Sequence, residues 1–219
     1  MPRLLFEKKG NAIWISHLDL MRLFQRAFKR AGLILKHTQG FNPRPSVSIA
    51  LPLSVGINSC CELLDFDLEG EHTSCDEIRE RLNQSLVEGV RVLKVYENGR
   101  KLRDLSLLHC KVHLEYDCGI PTGTLTRITE LFDRNELVVA KRTKNGIQEQ
   151  DIIPMIRWLR SEQISKSEIV LDCMICCQNP TLNPMQLVAA VERYLPEDKP
   201  DFARCERLEI FDQKENVFR

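Results

Sequence analysis

The sequence lacks the signatures that would make a function plain. Across 219 residues there is no G-x-x-x-x-G-K-[ST] phosphate loop, no G-x-G-x-x-G dinucleotide turn, no H-E-x-x-H metal helix and no G-x-S-x-G nucleophile elbow. A C-x-x-x-C-x-x-C cluster-binding triplet is also missing, so no cofactor is implied. Long apolar runs are absent. Ile169-Val170-Leu171 is broken by Asp172 before Cys173-Met174-Ile175-Cys176-Cys177, far short of the roughly 20 residues that cross a bilayer. No membrane association is expected. Lys8 and Lys9 interrupt any apolar stretch near the start, which is unlike a secretory signal. Net charge is absent as well: 31 bases face 31 acids, so the chain as a whole is no polycation.

What is present is ordinary in amount and uneven in distribution. A hydrophobic share of 43% and a charged share of 28% describe a globular chain able to bury a core. Residues 1–50 hold nine bases (Arg3, Lys8, Lys9, Arg22, Arg26, Lys29, Arg30, Lys36, Arg44) against two acids, whereas residues 51–89 hold nine acids against Arg79 and Arg81. Such asymmetry either builds a directed electrostatic surface or lets two neighbouring segments neutralise each other. The nine cysteines read as reduced thiols of a cytoplasmic protein, mostly small core hydrophobes. Cys173 and Cys176 form a C-x-x-C, but strand alternation sends them to opposite faces. No second ligand pair lies at zinc spacing, so no metal site is assigned.

The apolar periods predict an α+β protein of two ferredoxin-like (split β-α-β) modules with antiparallel or mixed sheets, over residues 1–98 and 104–219. In the first module, strands are expected at 3–7 and 12–16 around the Gly10-Asn11 turn signal. A helix follows. Ser16 caps it and Asp19, three residues on, completes a capping-box-like start; Leu20, Leu23, Phe24, Ala27, Phe28 and Ala31 recur at helical spacing, and Gly32 ends it. A short strand at 34–37, a loop at 38–45, strands at 46–53 and 60–68, a helix from 73 to about 85 and a strand at 90–96 complete the unit. A charged linker spans 97–103. The second module reads as a strand at 107–116, a helix at 122–132, a hairpin through Lys144-Asn145-Gly146, an ambiguous stretch at 152–160, a strand at 168–177, a helix at 183–195 with Pro184 at its first position, and a strand at 203–211.

The sharpest chemical signal lies in residues 16–45. Arg22, Arg26 and Arg30 are spaced i, i+4, i+8, and Lys29 falls on the same side. Like charges at that spacing repel by a few tenths of a kcal/mol per pair, and only Asp19 offers local relief. The stripe wants solvent, acids from the 60–80 segment, or a phosphate chain, which the planar guanidinium fork suits. Lys36 and Arg44 could extend it. In the loop, Gly40 permits close backbone approach, Phe41 can stack on a base or plug the core, and Gln39 and Asn42 can donate and accept. His17, in the first helical turn, either caps locally or acts as a neutral base, alone or with His37.

The run from Leu4 to Glu62 resembles a bacterial family of uncharacterised domains known as radical-SAM-linked proteins, companions of B12-binding-type radical-SAM proteins. The resemblance rests on Phe6-Glu7-Lys8, Ile15-Ser16-His17-Leu18-Asp19-Leu20-Met21-Arg22, Arg26-Ala27, Arg30-Ala31-Gly32, Gln39-Gly40-Phe41-Asn42-Pro43, Pro52-Leu53, Val55-Gly56 and Glu62. Where that family shows a His-Arg segment before its last strand, Cys205-Glu206-Arg207 stands here. The resemblance implies a stand-alone partner of a radical-SAM protein, with no activity of its own assigned. Together with the basic stripe, it leads to the expectation of an accessory protein that binds RNA or another polyanion through Arg22, Arg26, Lys29, Arg30 and the Gln39, Gly40, Phe41, Asn42, Arg44 loop. Two other readings stay open: an RNA-processing or RNA-modifying enzyme using His17, and an adaptor that binds protein alone.

Overall fold

The structure, a computed structural model, describes residues 2–70, 73–143 and 146–219. The chain is an α+β protein and divides into two compact units, one running to Asp104 and taking in Arg219, the other Leu105–Phe218.

The first unit holds β1 (Arg3–Lys8), α1 (His17–Arg30), β2 (Val47–Ile49), β3 (Ile57–Phe66), α2 (Cys75–Ser85) and β4 (Val90–Tyr96). Its sheet order is β4-β1-β3, with β2 on β3, and every one of these pairings is antiparallel. Two strands connected through α1 therefore run parallel with β3 threaded between them. α1 forms because Leu20, Phe24, Ala27 and Phe28 share one buried stripe. Two aromatic pairs press that stripe onto the sheet: Phe6 with Phe24 at 4.8 Å and Phe28 with Phe66 at 5.0 Å between ring centres. Such pairs add about 0.5–1.5 kcal/mol beyond area burial. They also fix which face of α1 is left to solvent.

The expected strand at 12–16 is instead a 3₁₀ turn, Gly10–Trp14. β1 already pairs with β3 on one side and β4 on the other, so no edge remains for those residues. The turn closes through Ala12 N–H to Lys9 O at 3.1 Å and Ile15 N–H to Ala12 O at 3.0 Å. The strand expected at 34–37 reduces to two isolated bridges, Leu35 with Leu68 and His37 with Pro45, because Pro43 and Pro45 remove donors from any ladder. β2 is shorter than expected for a related reason, ending ahead of Pro52.

The second unit holds β5 (Leu105–Glu115), α3 (Thr124–Phe132), β6 (Val138–Thr143), β7 (Gly146–Asp151), β8 (Ile156–Gln163), β9 (Glu168–Cys176), α4 (Met185–Tyr194) and β10 (Phe202–Asp212). Its order is β10-β5-β9-β8, again antiparallel throughout. The β6–β7 ribbon is inserted between α3 and β8. Its Lys144-Asn145 turn lies outside the described residues. The ambiguous 152–160 stretch resolves into a 3₁₀ turn, Ile153–Met155, and then β8. Pro184 is the N-cap rather than the first helical residue, and Asn183 Oδ1 accepts from the N–H of Met185 at 3.1 Å. Cys110 and Cys173 are cross-strand partners with sulfurs 3.6 Å apart. Both are fully buried, in keeping with core packing. Among the described residues no cysteines are joined in a disulfide, no group of three His, Cys, Asp or Glu is placed to hold a metal, and no helix is long and apolar enough to cross a membrane.

Candidate polyanion-binding groove

α1 is set at both ends by its own sequence. At the start, Ser16 Oγ accepts from the N–H of Asp19 at 3.2 Å and donates to Asp19 Oδ2 at 2.7 Å. Asp19 Oδ1 accepts from Arg22 Nη1 at 2.9 Å. The Ser16 hydrogen bond first, and then that of Arg22, hold the Asp19 carboxyl below its ordinary value. At the end, Gly32 N–H reaches Lys29 O at 3.1 Å and Leu33 N–H reaches Phe28 O at 2.9 Å. These are the paired bonds of a Schellman motif, made possible by the φ of +67° at Gly32.

Between these caps, Arg22, Arg26, Lys29 and Arg30 are all exposed. Arg22, Arg26 and Arg30 line one groove of about 440 Å³, with Ile15, Leu23 and Val87 as its apolar wall and Asp19 at its end. Arg30 is aimed by its bond to the carbonyl of Ser85, Nη2 to O at 2.6 Å. Arg22 is 66% exposed even while paired with Asp19. Arg26 makes no hydrogen bond or ion pair among the described residues.

Several acids of the following segment are engaged elsewhere. Asp65 takes Arg3 through two bonds, Nε at 2.5 Å and Nη2 at 3.0 Å. Asp67 takes Lys36 at 3.2 Å, and Glu77 takes Arg81 at 3.2 Å. Among the described residues, no carboxylate of the 60–80 segment pairs with Arg22, Arg26 or Arg30. Lys36, too, is committed to Asp67 and does not extend the stripe.

Lys29 departs from the expected grouping. It opens onto a second groove of about 370 Å³, with Gln25, residues 32–35, His37 and Pro45. A helix turns by about 100° per residue, and Lys29 lies just past the ridge that Arg22 marks, so the neighbouring chain decides its side. The loop beyond His37 is pinned at its base by Thr38 N–H to Arg44 O at 2.9 Å and Arg44 N–H to Thr38 Oγ1 at 3.0 Å. Gln39, Gly40, Phe41, Asn42 and Arg44 are all exposed, with Gly40 at φ +136°. Phe41 is 108% exposed and plugs no core. The loop thus neighbours the Lys29 groove rather than the arginine groove.

His17 is half-buried, and its buried Nδ1 has no hydrogen-bond partner among the described residues. It lines neither groove and makes no hydrogen bond to His37 among the described residues. Ile15, Leu23 and Val87 complete the arginine groove, Ser85 anchors Arg30 beside it, and nothing in the sequence marks them as site residues. Leu23 belongs to the helical period, but Ser85 and Val87 arrive from the far end of α2.

No functionally curated protein matches the sequence. Among solved structures, the chain is similar to one from a crystal structure of a Cbf5-Nop10-Gar1 complex, at 8% identity and a TM-score of 0.38, over 95% of this chain and 57% of that one. The chain therefore spans little more than half the length of that relative. It is also similar to an unknown protein from Galdieria sulphuraria, at 12% identity and a TM-score of 0.27, over 94% of this chain and 96% of that one. Neither score supports a functional argument. The chain belongs to the family described as "Uncharacterized protein conserved in bacteria (DUF2344)", whose model matches residues 2–184.

Proposed function

We propose that this member of an uncharacterized bacterial family is a cytoplasmic accessory protein that binds RNA through the Arg22–Arg26–Arg30 groove and works with a radical-SAM enzyme. We read both units as ferredoxin-like modules, because each, with the β6–β7 ribbon left out of the count, places its first strand between its third and fourth, with all neighbours antiparallel. The observation that carries the RNA reading is the three exposed arginines on one groove with no β3 or α2 carboxylate to neutralise them. A row of three guanidinium forks, of which only Arg22 has a carboxylate partner, over an apolar wall offers phosphates charged donors and bases an apolar surface. Residues 39–44 supply a second binding region, with Phe41 as the stacking side chain.

The test is binding of mixed tRNA and rRNA fragments over a range of salt concentrations. Three phosphates neutralised on a single strand give a log–log salt slope of about −2. The Arg22→Ala, Arg26→Ala double variant should lose most of the affinity and flatten that slope. Unchanged binding by this variant sinks the reading.

A protein-binding adaptor is favoured by one observation: Trp14 and Leu18 are 60% and 67% exposed on the turn and first helical turn that precede the arginines. Nuclease-insensitive co-purification with a radical-SAM protein, lost in Trp14→Ala plus Leu18→Ala, would select it.

A further inference from the structure

β8 ends the strand order of the second unit and, among the described residues, pairs with β9 alone. One of its edges therefore has no strand beside it. The register fixes what each face of β8 carries. Leu159 pairs with Cys173 and Ser161 with Leu171, and the Ser161 and Thr129 hydroxyls share a hydrogen bond of 2.6 Å, so this face lies toward α3. Trp158 pairs with Met174 and Arg160 with Asp172, and the Trp158 ring centre stands 5.3 Å from that of His109, so these residues occupy the opposite face. A groove of about 550 Å³ touches all four, together with Ile156 and Phe132 of α3. A groove that meets residues of both faces follows the free edge of the strand.

The backbone along that edge is open. Ile164 N–H bonds to Glu168 O at 3.0 Å and closes the β8–β9 hairpin. Antiparallel partners alternate between exchanging both backbone bonds and exchanging neither. Counting back from Ile164, Glu162, Arg160 and Trp158 turn their N–H and C=O groups to β9. Gln163, Ser161 and Leu159 turn theirs outward. Three such residues in a row are a template for another strand.

The side chains say which strand. Arg160 and Glu162 are both exposed, and neither makes an ion pair among the described residues. They have opposite sign and flank Ser161 symmetrically. A second β8 laid antiparallel, with a two-fold axis at Ser161, brings outward-facing groups opposite each other: Ser161 to its copy, and Leu159 to Gln163. Arg160 of each chain then stands directly across from Glu162 of the other, in the non-hydrogen-bonded pairing where side chains approach most closely. On the same face Trp158 meets Ile164, which is 50% exposed. Moving the axis loses this match. Centred on Arg160 or on Glu162, a copy sets like charges face to face. Centred on Gln163, it sets Arg160 opposite Lys166, and centred on Leu159, it sets Arg160 opposite Trp158, with no carboxylate.

We propose that the protein forms a two-fold dimer in which β8 pairs antiparallel with β8 of a second copy, centred on Ser161 and held in register by two Arg160–Glu162 pairs. The sheet of the second unit then continues into its copy. The added strand fills the groove beside half-buried Ile156 and Phe132.

Sedimentation equilibrium of the full chain over a concentration series tests this. Nuclease treatment ensures that RNA joins no copies, and reductant ensures that exposed Cys118 joins none. A monomer–dimer equilibrium is expected. Arg160→Glu and Glu162→Arg each turn both cross-strand pairs into like charges, and each should weaken the dimer on the order of tenfold or more. The double variant Arg160→Glu, Glu162→Arg exchanges the signs and should restore it, with circular dichroism as the fold check. Amide hydrogen exchange gives a second readout. Leu159, Ser161 and Gln163 should slow as protein concentration rises, while Arg160 and Glu162, already bonded to β9, should change little. The proposal is overturned by a chain that stays monomeric, by a dimer that neither single substitution weakens, by a double variant no tighter than the singles, or by exchange at the three outward amides that ignores concentration. Arg22→Ala plus Arg26→Ala should leave the dimer intact, so this proposal and the RNA reading fail separately.

Discussion

Arg26 and Lys29 are three residues apart on α1 and both exposed, yet they open onto different grooves, Arg26 beside Val87 and Lys29 beside His37 and Pro45. Their charges are equal, so any difference between them reads location. Arg26→Glu should weaken RNA binding by tenfold or more. With one phosphate fewer neutralised, it should also lower the salt slope by about 1, and the reversed charge adds to this. Lys29→Glu should cost clearly less. Filter binding at two salt concentrations checks both. Equal losses would mean that the polyanion crosses the ridge between the grooves and engages the loop side as strongly as the arginine side.

Phe41 separates binding from folding. A side chain with full exposure contributes no core packing, so Phe41→Ala should shift unfolding by less than about 0.5 kcal/mol. The same change removes a stacking surface worth about 1–3 kcal/mol per base. Urea unfolding and RNA titration on the same preparation should therefore diverge. A drop in stability comparable to the drop in binding would mean that the ring has a buried role.

Gly32 carries the Schellman end of α1, and its position leaves little room for a side chain. A Cβ there would stand 2.8 Å from Arg81 Nη2, and Arg81 Nε donates to the Ala31 carbonyl at 2.8 Å. Gly32→Ala should destabilise by about 1–2 kcal/mol, from the left-handed backbone and the displaced arginine. The midpoint of urea unfolding measures it. Because Arg30 sits two residues earlier, the variant should also weaken RNA binding, and more than a distant destabilising change of equal size.

Much of this was legible from local chemistry. α1 announced itself through Ser16, the Leu20–Phe24–Phe28 spacing and Gly32, and the structure keeps these roles, while the Asp19 carboxylate takes Ser16 Oγ and Arg22 in place of the Ser16 backbone N–H. β4 follows the alternation of Val90 and Val92 along residues 90–96, with a register shift before Val95. What misled was pattern without partner. Ala12-Ile13-Trp14-Ile15 has strand chemistry, but β1 has no free edge to offer it. Residues 152–160 carry helix-compatible and strand-compatible periods at once, and only the pairing of Trp158 with Met174 and Leu159 with Cys173 decides. The arginine stripe and Leu23 were visible as spacing, whereas the distant part of the site was not. Val87 and Ser85 come from about 60 residues downstream, and no local rule brings them to α1.

Asp198 and Arg127 give the clearest dependence on pH. Asp198 is 2% exposed at its side chain. Arg127 Nε donates to Oδ2 at 2.6 Å and Nη2 to Oδ1 at 2.5 Å, while Thr124 Oγ1 donates to Oδ1 at 2.6 Å. The Tyr116 hydroxyl adds a bond to the Asp198 carbonyl at 3.0 Å, and burial beside this carboxylate pushes Tyr116 up to about 12. The Arg127 hydrogen bonds, and then that of Thr124, hold the Asp198 carboxyl below its ordinary value of 3.8. In the unfolded chain that value returns to the ordinary range. The stabilisation is therefore complete at neutral pH and is lost as pH falls through the lowered folded value. Asp198→Asn removes the charge and keeps the shape. It should cost about 2–3 kcal/mol at pH 7, the scale of hydrogen bonds to a charged group discounted for the partial exposure of Arg127. It should also flatten the decline of stability on the acid side, so that the two proteins converge as pH falls below 3.8 and on through the lowered folded value. Urea unfolding at stepped pH measures the gap. A gap that stays constant from pH 7 to the acid limit of the folded state would show that the carboxylate's charge is not what Arg127 and Thr124 stabilise.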